Sequence, residues 1–571
     1  MGRQCSGRAA QAVGNVPGRN FSLHSADGRR DTSPHVSKSL KNISVVASAT
    51  MASRVLGLVR ETLTAAVFGT TALASAFSTA FQLPNLFRRL LAEGGMTAAF
   101  VPTLSTELEQ RRKEGAFVLV SQVTSWLLLT TLAVVVVAMG VLSQEAWIRS
   151  VGSAFDAEPD TIERWLLAAR LAVILFPYLI FVCLAAAFSA ALQTLNRFLE
   201  PALSPIWLNL SMIGALLAAG FLYHGAPLVR MYWFCGGVLA GGFLQMAVPA
   251  WALTRQGWTP RLDLTWSEPV RAITRLMGPT VLGSSVYLVN MVVSRFIGLS
   301  LNDAAVSILN YATRLMELPI GVFAVAVSTV VFPLISRFAA QGDVERMGEA
   351  YRKGMRLILL VNIPAAVGLS VLAEPIIRMI FEHGAFTASD TRAMIPVLAV
   401  FAVGLPVFSF VNLILRAFYA FKDTRTPVRA AVLSFFVNVA LSLALMSTLS
   451  TVGLALAGNV AILAQAWYLQ VKLARRDPTF SLTRLGRDLA KILAASVLMG
   501  LAVAAGWWGW SRWAEPAFLP DAVGVGVLII LGLGVYAAAV WLLRVEGRDD
   551  KEGLLAKLGA RLGIKRGGAA G

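Results

Sequence analysis

The sequence predicts an all-α polytopic membrane protein of about fourteen transmembrane helices, built as two six-helix lobes around a central cationic cavity, with two extra C-terminal helices. Three observations carry that prediction. Of 571 residues, 56% are hydrophobic and 14% charged, against roughly a quarter charged in an ordinary soluble domain. Apolar stretches of spanning length follow one another along the chain, and several short motifs recur at a spacing of 229 to 231 residues.

In chain order, residues 1–37 are rich in Gly, Ser and Arg, lack the apolar core of a secretory signal, and read as a disordered cytoplasmic tail. Spans beginning near residues 42, 72, 117, 165, 201 and 229 make an N-lobe over 38–260. Spans beginning near 276, 305, 356, 391, 428 and 451 make a C-lobe over 261–476. Two uncharged spans near 488 and 521 form an extra pair over 477–545, joined by a loop whose Trp507, Trp508, Trp510 and Trp513 suit an interfacial belt. In the tail, 546–571, Leu554, Leu555, Leu558 and Leu562 oppose Lys557, Arg561 and Lys565, as in an interfacial amphipathic helix or a frayed basic end.

The lobes follow from an internal duplication. Pro177 and Pro406 are 229 apart, as are Asn209 and Asn438, and "VPTLS" (Val101–Ser105) stands 231 before "FPLIS" (Phe332–Ser336). Six helices per repeat send both lobes through the membrane in the same sense.

Net charge is +18. The basic residues collect in alternate loops, such as "QRRKEG", Arg255 to Arg275, "FKDTRTPVR" and "VKLARRDP", while the intervening loops are neutral or acidic. By the positive-inside rule both termini are cytoplasmic. The surplus charge is therefore topological, and no nucleic acid is implied.

Some charge nevertheless lies inside spans. Ser53, Arg54, Arg60, Glu61 and Thr64 share one face of the first helix; Ser75, Gln82, Asn85, Arg89 and Glu93 line the second, with Arg88 beside them. Arg314 and Glu317 continue the device in helix eight, and Gly283, Tyr287, Asn290 and Ser294 give helix seven a milder version. A charge at the bilayer centre costs about 2.5–3.5 kcal/mol, so these stripes are expected to face a shared wet cavity. Counting Arg54, Arg60, Arg88, Arg89 and Arg314 against Glu61, Glu93 and Glu317 leaves that cavity at about +2. An anionic substrate follows, and the planar arginine fork suits phosphate. Arg295 and Arg416, off any clear stripe, read as anchors or structural pairs.

Other classes lose support. No two of the four histidines and three cysteines have metal-ligand spacing, and no phosphate-binding P-loop occurs. No cofactor is expected. A polymerase or glycosyltransferase would need a catalytic carboxylate on a sizeable outer loop, and the stretch around Asp156, Glu158 and Asp160 is short for that. A cation exporter would want an acidic cavity.

"SRVLGLVRE", "FQLPNLFRRLLAEGGMTAAFVPTLS", "NYATRLMELPIGVF", "FEHGAFTASDT" and "RAFYAFKDTRTP" resemble the MurJ/MviN lipid II flippases, a family of the multidrug/oligosaccharidyl-lipid/polysaccharide exporter superfamily, over roughly residues 38 to 545. The resemblance implies a bacterial inner-membrane flippase, not an enzyme, that carries undecaprenyl-pyrophosphate-linked disaccharide-pentapeptide to the periplasmic leaflet. It implies that Arg54, Arg60, Arg88 and Arg314 meet the pyrophosphate, that the extra pair offers a groove for the polyprenyl tail, and that partners are membrane lipids and cell-wall synthesis or division proteins. The alternatives within the reading are an exporter of another polyprenyl-pyrophosphate glycan and a non-transporting cell-wall scaffold. Where many relatives carry Asp, this chain has Glu61, Ser75 and Thr313; the last two changes argue against a carboxylate-based cation coupling.

Overall fold

The computed structural model describes residues 34–90, 95–223, 225–320, 325–513 and 517–545. Most of the N-terminal tail, the whole 546–571 tail, Glu93 and Gly321 lie outside them. Among the described residues the chain is helical, without strands.

Helix α1 (Pro34–Phe68) starts on a proline, whose missing N–H costs nothing in the first turn, and stops at Gly69, which takes the left-handed φ of +61° that ends helices readily. Thr71 caps α2 (Ala72–Arg88) by accepting from the amide of Ala74. Helix α3 (Gly95–Leu142) breaks at Arg112 in the basic "QRRKEG" loop, where φ is +55°. The loop before the fourth span holds a short helix of its own, α4 (Glu145–Ala154).

Helices α5 (Pro159–Leu175) and α6 (Tyr178–Thr194) form one span bent by 45°. Pro177 lies at the bend, where it lacks an amide for the helical ladder. Its repeat mate Pro406 sits inside an unbroken helix, so the two lobes are not copies in detail. Helices α7 (Leu199–Leu217) and α8 (Pro227–Thr254) complete the N-lobe.

The C-lobe runs through α9 (Glu268–Leu301), α10 (Ala305–Pro319), α11 (Val325–Ala340), α12 (Val344–Val371), α13 (Ala373–Phe381), α14 (Ala388–Ala420) and α15 (Arg425–Arg476). A straight helix as long as α15 would extend about 78 Å, far beyond a bilayer; it folds back at Ser450, where φ is +50°. The extra pair is α16 (Gly486–Trp510) and α17 (Phe518–Leu542).

Among the described residues eight helices are long and apolar enough to cross a membrane, or nine with the bent α5–α6 pair. The count falls short of the fourteen expected from sequence for physical reasons. The polar stripe lowers the hydropathy of α1, and two of the eight helices, α3 and α15, contain breaks.

One continuous apolar core unites α2, α3, α5, α6 and α8, and it also takes in Val270, Ile273 and Leu299 from α9. Helix α9 is thus shared: its two ends pack into the N-lobe core, while Asn290 and Ser294 in its second half bond to Asn438 of α15. The extra pair packs on α12 through Ile492, Met499, Leu528 and Tyr536. Ion pairs pin it near both ends, Arg356 to Asp488 at 2.8 Å and Arg378 to Asp521 at 2.6 Å.

Candidate functional site

Between α1, α2, α7 and α10 lies a cavity of about 680 Å³. Its polar wall is built from Ser53, Arg54, Arg60, Glu61, Gln82, Asn85, Arg88, Arg89, Arg314 and Glu317. Ser53, Arg54, Arg60, Glu61, Asn85, Arg88, Arg89, Arg314 and Glu317, nine of the expected site residues, therefore border one space, and Glu93 lies outside the described residues.

The centre of the site is Glu61. Its Oε1 receives Arg60 Nη2 at 2.5 Å and lies 3.5 Å from Arg314 Nε, while Asn310 Nδ2 donates to Oε2 at 3.4 Å. Glu61 belongs to α1, and Arg314 and Asn310 to α10, so one carboxylate ties the two lobes together. Its side chain is only 9% exposed, whereas Arg314 keeps 39% exposure because its remaining donors face the cavity. Burying a lone carboxylate in such a place would be prohibitive; two guanidinium partners remove the penalty.

Arg60 is oriented from the far side. Asn209 Oδ1 accepts from Arg60 Nη1 at 3.0 Å, and Asn209 Nδ2 donates to the backbone carbonyl of Ser53 at 3.1 Å. A single amide thus straps α7 to α1 and fixes the guanidinium. Arg88 Nε donates to Asn85 Oδ1 at 3.3 Å, and Arg314 Nη1 to Glu317 Oε2 at 2.9 Å. Arg54 is exposed to the cavity and makes no ion pair among the described residues.

The deeper wall is aromatic and lies on the N-lobe side. Phe77 and Phe81 stack with centroids 5.8 Å apart, Phe81 meets Tyr178 at 5.6 Å, and the Tyr178 hydroxyl donates to Gln245 Oε1. Reasoning from stripes missed Asn209, Tyr178 and Gln245, each a polar group off any stripe in a mostly apolar helix. That isolation was the available signal.

Two expectations fail. Ser75 does not face the cavity; its hydroxyl is spent on Asp303 and Ser307 of the other lobe. Asn290 and Ser294 of α9 turn toward Asn438 and are not among the cavity-lining residues. The wet centre is lined by α1, α2 and α10, with α7, and is asymmetric between the lobes.

The wall offers converging guanidinium donors to an anion, with amides and aromatic faces beside them, and among the described residues it presents no nucleophile hydrogen-bonded to a base.

The sequence profile of a family described as "Lipid II flippase MurJ" matches residues 64–522. A protein of Rhizobium tropici named "Probable lipid II flippase MurJ" is 36% identical over 515 residues, covering 88% of this chain and 94% of that protein. A solved structure described as "Lipid II flippase MurJ, inward closed conformation" superposes with a TM-score of 0.71 at 27% identity, covering 87% of this chain and 98% of the other. An inward-facing transporter of the multidrug MATE family superposes with a TM-score of 0.54 at 15% identity, a likeness of fold alone.

Proposed function

The chain belongs to the lipid II flippase MurJ family, and from that premise we propose how its cavity moves the substrate. It is a transporter and not an enzyme, it resides in the bacterial inner membrane, and lipid II is its substrate.

The proposed binding site is the arginine wall. Arg54, Arg88 and the cavity-facing donors of Arg314 take the pyrophosphate, while Arg60, held by Glu61 and Asn209, sets the local field rather than reaching freely. Arginine forks donate paired hydrogen bonds to phosphate oxygens and stay charged at any working pH. The amides of Gln82 and Asn85 and the ring of Phe81 adjoin that wall and suit the sugar part. The polyprenyl tail stays in the bilayer against the apolar outer surface of the α16–α17 pair, whose Asp488 and Asp521 are paired with arginines of the C-lobe.

Transport proceeds by alternating access, the lobes 38–260 and 261–476 rocking about the cavity. Both termini are cytoplasmic in this reading, because the Lys- and Arg-rich loops alternate with neutral or acidic ones along the chain. Cell-wall synthesis or division proteins are the proposed partners, since a flipped lipid-linked glycan must be consumed by glycosyl transfer on the outer face.

The single observation that carries the proposal is Glu61 held by arginines of both lobes at the rim of a cavity with further arginine donors. The test is rescue of a bacterium depleted of its own lipid II flippase, at matched membrane levels. The unaltered chain should rescue, and Arg88→Ala and Arg314→Ala should not. Full rescue by both variants would remove the arginine wall from the mechanism.

A further inference from the structure

We propose that the end of the cavity opposite Arg54 is closed by a polar gate whose moving faces are two glycine turns, one from each lobe, with Arg164 as a clasp beside them. The proposal rests on the transport reading above and names the contacts that the cycle must break.

The first turn follows α1 and the second precedes α14. Ala385 N donates to Ala66 O at 2.7 Å, and the Tyr311 hydroxyl donates to Gly69 O at 3.1 Å. Ala66 O is one of the terminal carbonyls of α1 that have no partner within the helix. The other lobe supplies that partner.

Glycine is required on both sides of this contact. A Cβ on Gly69 would stand 2.6 Å from Ala385 O, and one on Gly384 would strike Ala66 O. Each turn is bare where the backbone of the other turn passes, and each glycine has a left-handed φ, +61° and +60°.

Side chains extend the closure. The Thr70 hydroxyl donates to Asp390 Oδ1, while Asp390 Oδ2 accepts from the Thr387 amide at 2.7 Å and so is fixed by the cap of its own helix. One turn deeper, Ser75 Oγ donates to Asp303 O at 2.5 Å and accepts from Ser307 N at 3.2 Å. Ser75 and Ser307 stand 232 positions apart, near the repeat spacing, so equivalent sites of the two lobes meet each other. On the flank, Arg164 of α5 reaches Asp303 Oδ1 at 3.0 Å and donates to Leu299 O at 2.8 Å.

These are carbonyls, hydroxyls and one ion pair at the ends of helices. When parted they meet water instead of being stranded, so each bond holds the closed state weakly and reversibly. The opposite end of the cavity has Arg54 exposed to solvent. One closed end and one accessible end are what a single-substrate alternating cycle needs.

The test uses the full chain with Cys5, Cys183 and Cys235 replaced and Ser78→Cys introduced as a reporter, since Ser78 borders the cavity but takes no part in the gate. A membrane-impermeant maleimide is added outside intact cells. Thr70→Val and Arg164→Gln should each raise the labelling rate by about fivefold, the effect of one lost hydrogen bond on a two-state balance. Arg170→Gln, which breaks a pair with Glu145 within the N-lobe, should leave it unchanged. Unchanged labelling in both gate variants, or an equal rise in the control, overturns the gate. As a second arm, Thr70→Cys with Asp390→Cys, bridged by a short thiol cross-linker that a reductant cleaves, should stop lipid II movement until the reductant is added; continued movement by the bridged protein also overturns it. Labelling needs no substrate, so a failed gate and a mistaken substrate give different results.

Discussion

Arg314 of α10 reaches Glu61 of α1 across the boundary between the lobes, with 3.5 Å between Nε and Oε1. Because Arg60 presses on the same carboxylate oxygen, removing the negative charge leaves two guanidinium groups facing each other. Breaking a buried pair by deleting one partner costs about 3–5 kcal/mol. Glu61→Gln is therefore expected to lower thermal stability in detergent and to abolish rescue, while Glu61→Asp keeps the charge and retains part of both. A melting curve for Glu61→Gln that overlays the parent would show that the carboxylate is not the tie between the lobes.

The repeat-related asparagines should behave unequally. Asn209 orients a charged group, Arg60, whereas Asn438 donates to the neutral Asn290 and Ser294. A hydrogen bond to a charged group contributes more than one between neutral groups, about 1.5–3 kcal/mol against about 1 kcal/mol. Asn209→Leu is expected to lose most flipping activity and Asn438→Leu to keep most of it, measured by rescue at equal membrane levels. Equal losses would mean that the two lobes contribute alike to the site.

The extra helix pair should travel with the C-lobe, because its two anchors hold it there. Asp521 is 2% exposed and bonds Arg378 through both oxygens, at 2.6 and 2.9 Å. Asp521→Ala leaves Arg378 with the longer pair to Glu374, at 3.5 Å, and is expected to destabilise by up to about 3 kcal/mol, whereas replacing the pair together, Arg378→Met with Asp521→Leu, should recover most of that loss. Thermal melts of the single and double variants decide it. A double variant as unstable as the single one would assign the effect to packing.

Much of the site was legible in the sequence, and the limits have physical causes. Arg54, Arg60, Glu61, Arg88 and Arg314 announced themselves because a charge in an apolar helix is costly and its spacing reveals the face it uses. Periodicity gives a face but not what the face meets. Ser75 lies on the stripe of α2 yet points to Ser307, since the stripe runs from the cavity into the closed end. The prolines 229 residues apart have unlike surroundings: Pro177 lies at a bend and Pro406 inside a continuous helix, so residue type alone does not tell whether a helix yields; the surrounding packing decides it. Asn209 and Gln245 stayed hidden as site residues because their partners come from helices far away in sequence.

The segment joining the lobes is strapped down, which constrains where motion can occur. Trp258 Nε1 donates to Ser121 Oγ at 3.0 Å, Asp263 N donates to Ser125 Oγ at 2.9 Å, and Gln122 Nε2 donates to Asp263 Oδ2 at 3.2 Å. Hydrogen bonds from the side chain and amide of Thr265, with a further one from Gln122, hold the Asp263 carboxyl below the usual carboxylate range. A depressed acid contributes stability above its unfolded pKa of about 3.9 and loses it only as pH falls through the lower folded value. Amide exchange over residues 259–266, corrected for intrinsic rate, is therefore expected to be flat between about pH 5 and 8 and to accelerate only in stronger acid. Gln122→Ala should accelerate it already at neutral pH. Exchange that rises between pH 8 and 5, or that ignores Gln122→Ala, would show a slack linker; with the strap intact, rocking of the lobes is expected to be absorbed within α9, whose ends pack in one lobe while its Asn290 and Ser294 bond to the other.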